Sequence, residues 1–283
     1  MIFTNPEAEI FVPYGASEEE ALARTTHIGI GAHQDDLEIM AYHGILECFQ
    51  GYDQWFTGVT VTDGAGSPRA DIYEEFSDMD MQRVRKIEQK KAAAVGEYSV
   101  QVLLDFPSSA VKDPSNADVV NDIKQVLQAA RPKIVYTHNL ADKHDTHVAV
   151  VLRVIQAIRE LPAGDRPEKV YGCETWRDLD WLSDEDKVIF DVSAHENLAA
   201  ALIGVFDSQI SGGKRYDLAT FGRRRANATF FASHGTDTEE SIIFGIDLTP
   251  LIKDPELDIE QYIISFIHNF AANVSARIGK HLR

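Results

Sequence analysis

The chain has 283 residues, with 27 Lys and Arg against 45 Asp and Glu, so its formal charge is −18. An apolar fraction of 44% and a charged fraction of 25% are typical of a globular protein and exclude a disordered one. The acidic balance disfavours nucleic acid or an anionic membrane as a partner, and no apolar run reaches the ~18 residues of a membrane-spanning helix.

Two further features bear on the compartment. The N-terminal segment has no basic region and carries acids where a signal peptide would be apolar, so we expect no secretory signal. Cys48 and Cys173 are far apart and belong to no CxxC pattern, which predicts two reduced thiols in the core. The expected location is the cytoplasm.

Strands and helices are predicted to alternate after a polar leader. Five apolar runs predict strands at 26–33, 56–62, 100–104, 133–138 and 170–176. Amphipathic spacing predicts helices between them at 37–49, 79–98, 116–130 and 144–161. Continuous apolar strands alternating with helices are typical of a parallel sheet with helices on both faces, so the predicted fold class is α/β.

The second half of the chain is less regular. Strands are predicted at 188–191 and 241–248, helices at 194–206 and 259–278, and a basic loop at 211–215. No linker rich in Pro, Gly or Ser separates the halves. We therefore expect a single domain over 1–283, with a core at about 25–176 and a C-terminal elaboration at about 177–283.

The first group of chemistry-bearing residues follows the first predicted strand, in the run Ala32-His33-Gln34-Asp35-Asp36-Leu37-Glu38. Adjacent carboxylates repel one another unless a cation or a helix N-terminus stabilises them. A helix is predicted to begin here, so an N-cap role for Asp35 or Asp36 is the alternative to a metal site. The run lacks a GxGxxG pattern, so it carries no dinucleotide fingerprint.

The second group follows the fourth predicted strand, in the run Asp142-Lys143-His144-Asp145-Thr146-His147. His144 and His147 are three residues apart and are expected on one helix face, although a capping cluster with solvated histidines is the alternative. Both groups lie at the predicted carboxyl edge of one sheet. Together they offer His, Asp and His, an acceptable zinc ligand set, and leave Asp35 as a proton acceptor with His144 across from it.

These two runs resemble the motifs of one family. AHQDDLE at 32–38 is similar to the AHPDDxE motif, and HDTH at 144–147 to the HxDH motif, of the LmbE/PIG-L family of zinc-dependent N-deacetylases. The segments TDG at 62–64 and RKIE at 85–88 match further family features, and the resemblance spans about 25–160. It implies a Rossmann-like fold and removal of an acyl group, usually acetyl, from an N-acylated amino sugar or related amine.

The resemblance also implies roles for individual residues. His33, Asp36 and His147 correspond to the metal ligands, with Zn²⁺ as the expected ion and Fe²⁺ as an alternative occupant. Asp35 corresponds to the general base that activates water. His144 corresponds to the group that stabilises the oxyanion and protonates the leaving amine.

The chain departs from the family motifs at two positions. Gln34 replaces the motif proline, which we expect to change only the stiffness of the loop. Thr146 replaces an Asp that orients or balances a histidine, and the neighbouring Asp145 points about 100° further round the helix. Two alternatives therefore stay open: an amidase of the same fold acting on a sugar conjugate, and a metal-binding member without activity.

Other residues are candidates for substrate binding. Arg69, in the turn-rich loop after Thr62, and His234, in the polar turn 233–235, are expected to reach the substrate or else to be solvated. His138 is predicted to support the metal site or to have a structural role. The segment 214–225 holds five basic residues, which either line an anionic substrate's path or, as we favour, pair across a subunit interface; a homo-oligomer is thus left open.

Overall fold

The structure, a computed structural model, describes residues 1–232 and 234–282. The described residues form eight strands: β1 (Glu9–Phe11), β2 (His27–Gly31), β3 (Phe56–Thr62), β4 (Val100–Phe106), β5 (Ile134–His138), β6 (Lys169–Cys173), β7 (Val188–Asp191) and β8 (Ile242–Asp247). They also form twelve α-helices: α1 (Glu18–Ala23), α2 (Asp36–Met40), α3 (Tyr42–Cys48), α4 (Asp78–Val95), α5 (Ser108–Lys112), α6 (Ala117–Ala130), α7 (Asp145–Arg159), α8 (Glu196–Gly204), α9 (Asp207–Ile210), α10 (Tyr216–Phe230), α11 (Thr249–Lys253) and α12 (Ile259–His281).

All eight strands belong to one sheet in the order β1-β4-β3-β2-β5-β6-β8-β7. The five central strands run parallel to one another: β4, β3, β2, β5 and β6. At one side β1 pairs antiparallel with β4, and at the other β8 pairs antiparallel with both β6 and β7. This arrangement confirms the predicted α/β class with a mostly parallel sheet. The second half of the chain contributes β7 and β8 to the same sheet as the first.

Each face of the sheet carries its own hydrophobic core. Successive strand residues alternate between the two faces, so that Val135 packs in one core and Tyr136 in the other. Helices α6 and α7 cover the first face, and α2, α3 and α8 cover the second. Gly29 in β2 permits this close packing, because a Cβ there would lie 2.8 Å from the Phe56 ring and 3.1 Å from Leu37.

The predicted helix at 37–49 is broken into α2 and α3 at Ala41. The carbonyl oxygens of Glu38 and Ile39 accept hydrogen bonds from the Arg224 guanidinium, at 2.8 and 3.1 Å. In a continuous helix these oxygens would bond to the backbone four residues further on. A side chain from α10 therefore inserts into the hydrogen-bond ladder and breaks the helix there.

Six of these elements were not predicted from the sequence: β1, α1, α10 and the short helices α5, α9 and α11. The leader forms β1, which is too short to show periodicity, and α1, whose Ser17 and Glu20 make a capping box. The basic segment continues into α10, which buries Thr220, Arg224, Asn227 and Ala228. Since three of those four side chains are polar, hydrophobic spacing could not reveal this helix.

The C-terminal helix α12 leaves the body of the molecule. Ile263 in its first turns is buried, but every described residue from 267 to 282 is exposed. No helix within residues 1–232 and 234–282 combines the length and the apolar character needed to cross a membrane.

Candidate metal centre

The candidate site lies where the strand order of the sheet reverses. From β2 the chain proceeds outward through β3 and β4, and it then returns to add β5 and β6 on the opposite side of β2. The loops after β2 and β5 therefore diverge and open a crevice at the carboxyl ends of the strands, where ligands bind in open α/β sheets. The two sequence motifs occupy these two loops.

Three predicted side chains converge in this crevice. His33 Nδ1 lies 3.2 Å from Asp36 Oδ2 and 3.2 Å from His147 Nε2, and the latter two atoms are 3.4 Å apart. Four tetrahedral ligands bound to zinc at 2.0–2.1 Å are about 3.3 Å from one another. The three atoms thus have the spacing of three ligands of one small divalent ion.

Charge and burial suit two of these residues, Asp36 and His33, to a cation. Burial raises the pKa of Asp36, but His147, His138 and the hydrogen bond from His33 outweigh it and hold that pKa well below its ordinary value. Burial lowers the pKa of His33 despite its contact with Asp36. The set therefore presents a carboxylate and a neutral imidazole, the forms that ligate metals.

Asp142 lies beside the third residue of the set, a contact that the sequence does not reveal. Its buried Oδ2 lies 3.4 Å from His147 Nδ1, the ring nitrogen turned away from His33 and Asp36. A carboxylate at the far nitrogen of a ligating histidine fixes its tautomer and raises its basicity. Asp142 is itself held by backbone N–H groups of His144 and Trp176, at 3.0 and 3.1 Å.

His138 forms a second possible set with Asp36 and His147, because its Nε2 lies 3.3 Å from Asp36 Oδ2. The same Nε2, however, accepts the backbone N–H of Ala32 at 2.9 Å, while Nδ1 lies 3.1 Å from Thr175 Oγ1. Both nitrogens of this fully buried ring are engaged, and the ring stacks on His147 with 3.9 Å between centroids. This geometry favours His33 over His138 as the third ligand.

Asp35 occupies a strained and buried position beside the set. Its φ of 104° lies in the left-handed region, which costs a non-glycine residue of order 1–3 kcal/mol. Burial raises the pKa of its carboxyl well above the ordinary value, although Arg85 opposes the shift from 3.4 Å. Its Oδ2 is buried without a hydrogen-bond partner among the described residues, and the side chain lines the cavity. A carboxylate held in this way is suited to accept a proton.

His144 caps α7 from just outside the helix, rather than lying within it as predicted. Its carbonyl accepts the N–H groups of His147 and Val148 at 3.0 and 3.2 Å. Its ring lies 5.0 Å from that of His33 and 4.5 Å from that of His147, centroid to centroid. Burial, together with these two neighbouring histidines, lowers the pKa of His144 to about 4.

His33, Asp35, Asp36 and His144 form the floor of a cavity of about 660 Å³. Besides the motif loops, its wall includes the segment after β6, with Glu174, Thr175 and Trp176, and the first turns of α10. Four of the five basic residues of 214–225 line it: Lys214, Arg215, Arg223 and Arg224. The fifth, Arg225, pairs with Glu196 and Glu240 of the same chain.

The two substrate candidates lie outside this cavity. Arg69 lines a neighbouring pocket, where its guanidinium binds the Asp78 carboxylate and the Ala65 carbonyl. His234 is exposed in the turn after α10 and lines neither pocket, while Ser233 beside it lies outside the described residues. The structure does not bring either residue to the floor of the crevice.

Gln34 does more than alter loop stiffness. Its side chain is buried, and its Nε2 donates to the carbonyl of Thr62 at 3.0 Å. Its own carbonyl accepts a hydrogen bond from Arg85, the residue that pairs with Asp35. Gln34 thus connects the loop after β2 to the end of β3, which a proline could not do through its side chain.

Comparison with known proteins gives one family match, over part of the chain, and a shared fold. The family model described as PIG-L, GlcNAc-PI de-N-acetylase, matches residues 28–158. No curated protein matches the chain.

Solved structures with the same fold include enzymes of two kinds. One is 4-carboxy-2-hydroxymuconate hydratase from Pseudomonas putida (17% identity, 79% of this chain and 95% of that one, TM-score 0.61). Another is N,N'-diacetylchitobiose deacetylase from Pyrococcus horikoshii (18% identity, 78% of this chain and 84% of that one, TM-score 0.58). A third is the A40926 pseudoaglycone deacetylase (18% identity, 79% of this chain and 97% of that one, TM-score 0.55). At such identities the likeness shows the fold alone, and the same fold serves a hydratase as well as deacetylases.

Proposed function

Because the PIG-L family model matches residues 28–158 of this chain, we propose that it is a metal-dependent hydrolase that removes an N-acyl group, acetyl in the simplest case, from an amino sugar or related amine. The observation that carries the proposal is the convergence of His33, Asp36 and His147 with 3.2–3.4 Å between their ligand atoms. The names of two structural neighbours, a diacetylchitobiose deacetylase and a pseudoaglycone deacetylase, agree with an acetylated sugar-like substrate.

In this proposal His33, Asp36 and His147 hold a divalent cation, most simply Zn²⁺, with Fe²⁺ as the alternative. Such an ion, when bound, lowers the pKa of a water molecule and polarises the acyl carbonyl. The His₂Asp set suits either metal, since selectivity depends on geometry and availability as much as on affinity.

Two residues of the chain then move protons. Asp35 accepts a proton from the attacking water, through the oxygen that has no partner in the cavity wall. His144 lies across the crevice beside His33 and His147, where it donates a hydrogen bond to the oxygen of the tetrahedral intermediate. As the C–N bond breaks, the amine nitrogen is protonated from the His144 side of the site, and the proton that Asp35 took from water restores the balance.

We expect two variants to separate metal binding from catalysis. Asp36→Ala removes the carboxylate of the set and should abolish metal binding, measured as metal per chain by elemental analysis. Asp35→Asn keeps the shape of the loop but removes the proton acceptor. It should retain metal while the release of free amine from a panel of N-acetylated sugars falls by about 10²-fold or more.

The outcomes distinguish the alternatives left by the sequence. Near-normal turnover in Asp35→Asn contradicts its assignment as the base. A metal-loaded wild type that releases no amine from any N-acyl substrate supports a metal-binding member without activity. Activity confined to amide conjugates of sugars supports an amidase instead.

A further inference from the structure

The wall of the cavity has a charge opposite to that of the whole chain. The chain carries −18, yet the cavity is lined by six basic side chains and three carboxylates among the described residues. All three carboxylates are engaged at the floor or wall: Asp35 with Arg85, Asp36 with the histidines, and Glu174 with Asn227 and two backbone N–H groups. The remaining lining charge is positive.

The basic side chains differ in how far they are already paired. Arg85 and Arg224 are buried and bound to backbone carbonyls, and Arg215 pairs with Asp217. Arg223 binds the carbonyls of Thr175 and Trp176. Lys112 and Lys214 make no ion pair with any carboxylate of the described residues; Lys112 is exposed, whereas Lys214 is half-buried.

The surroundings of Lys214 connect it to the proposed reaction centre. Its Nζ lies 5.1 Å from the centre of the Trp176 ring, and the Nζ of Lys143 lies 6.0 Å from the same ring. The Trp176 ring is in turn 5.7 Å from that of His144. An indole with two ammonium groups near its ring therefore lies beside His144. Trp176 has an apolar surface on which a sugar ring can pack, and the two ammonium groups can bind an anionic substituent of that ring.

We propose that the part of the substrate that remains after deacylation bears an anionic group, a phosphate or a carboxylate, and that Lys214 binds this group while Trp176 packs against the adjoining ring. The proposal rests on the proposed function, which places the acyl group at the floor. Lys143 adds to the attraction from the solvent side. A neutral amino sugar would leave Lys214 half-buried without a counter-charge.

Binding of deacylated products tests the proposal without requiring turnover. Isothermal titration of the metal-loaded protein compares glucosamine with glucosamine 6-phosphate and glucosamine 1-phosphate, and with muramic acid as the carboxylate probe. At least one anionic sugar should bind about tenfold more tightly than glucosamine, as expected for one charge-assisted hydrogen bond. Lys214→Gln should abolish that advantage, and Lys253→Gln, which changes an exposed lysine outside the cavity, should retain it.

Each result bears on one claim. Equal binding of neutral and anionic sugars overturns the proposal, as does an anionic advantage that survives Lys214→Gln, which would locate the anion at the metal instead. Unchanged thermal midpoints of both lysine variants exclude misfolding as the cause of a loss. If anionic sugars bind through Lys214 but no N-acyl sugar is hydrolysed, the anion site stands and the proposed function fails. If neutral and anionic N-acetyl sugars are hydrolysed equally well, the proposed function stands and the anion site fails.

Discussion

At the scale of single residues, the site depends on carboxylates whose neighbours give them different tasks. Asp36 is held ionised among three histidines, whereas burial raises the pKa of the adjacent Asp35. Asp142 and Asp145 differ in burial: Asp142 is buried against His147, and Asp145 is exposed in the first turn of α7. Thr146 therefore does not leave His147 without a carboxylate, because Asp142 supplies one from outside the helix.

The two acids of this loop provide a matched test. Asp142→Asn removes the charge at His147 Nδ1 but keeps a hydrogen-bonding side chain, and it should weaken metal affinity by about 10–100-fold, as expected for the partner of a ligating histidine. Asp145→Asn changes an exposed acid and should leave the affinity unchanged. Competition with a metal chelator measures both values, and equal affinities in the two variants would contradict the role of Asp142.

At the scale of elements, α10 is the part of the fold that joins the two halves of the chain at the site. Its first turns line the cavity, and its buried face reaches Glu174 through Asn227 and the α2–α3 break through Arg224. The Arg224 guanidinium also lies 4.6 Å from the Tyr42 ring, and burial lowers the pKa of this arginine to about 10. The helix thus holds the segment that carries Asp35 and Asp36.

Neighbouring arginines of α10 should differ sharply in their contribution to stability. Arg224→Ala leaves the buried carbonyls of Glu38 and Ile39 without their donor and should lower the free energy of unfolding by about 2–4 kcal/mol. Arg225→Ala removes ion pairs with two exposed acids, Glu196 and Glu240, and should cost less than about 1 kcal/mol. Urea unfolding measures both, and similar losses would show that Arg224 does not secure the helix break.

At the scale of the whole molecule, stability and pH are coupled through groups buried away from the metal site. Burial lowers the pKa of His27 and of His43 to about 4. Since an unfolded histidine binds its proton near pH 6.5, these two contribute stability that is present above that pH and is lost as pH falls towards 4. Glu174 acts in the opposite sense, because burial raises its pKa to about 7, so its stabilising effect diminishes as pH rises towards 7.

A variant of His43 isolates one contribution from this mixture. His43 Nδ1 lies 3.0 Å from the Tyr136 hydroxyl, in the core between the sheet and α3. Between pH 7 and pH 5 the wild type loses part of the contribution of His43 to its free energy of unfolding, and His43→Gln does not. The decrease in the free energy of unfolding should therefore be smaller in the variant by about 1–2 kcal/mol. Urea unfolding in the presence of a chelator measures this without interference from metal binding. His268→Gln, on the exposed part of α12, should follow the wild-type profile, and parallel profiles for all three proteins would refute the role of His43.

The sequence alone determined the features that depend on local spacing. Apolar runs and amphipathic periods located the parallel strands and their helices, with 56–62 and 188–191 correct to the residue as β3 and β7. The order of strands also predicted that the two motifs would share one edge of the sheet. Short motifs suffice for this because each lies in a single loop whose place follows from the strand before it.

Only the tertiary structure decided which side chains from distant segments meet. The carboxylate of Asp142 at His147, the break that Arg224 makes between α2 and α3, and Lys214 over Trp176 all join groups whose sequence pattern carries no signal of the partner. Helix α10 was not predicted for the same reason. It buries polar residues whose hydrogen-bond partners are carbonyls and carboxylates far away in the sequence. Periodicity records how a segment meets the core, whereas polar contacts between segments depend on how the chain closes on itself.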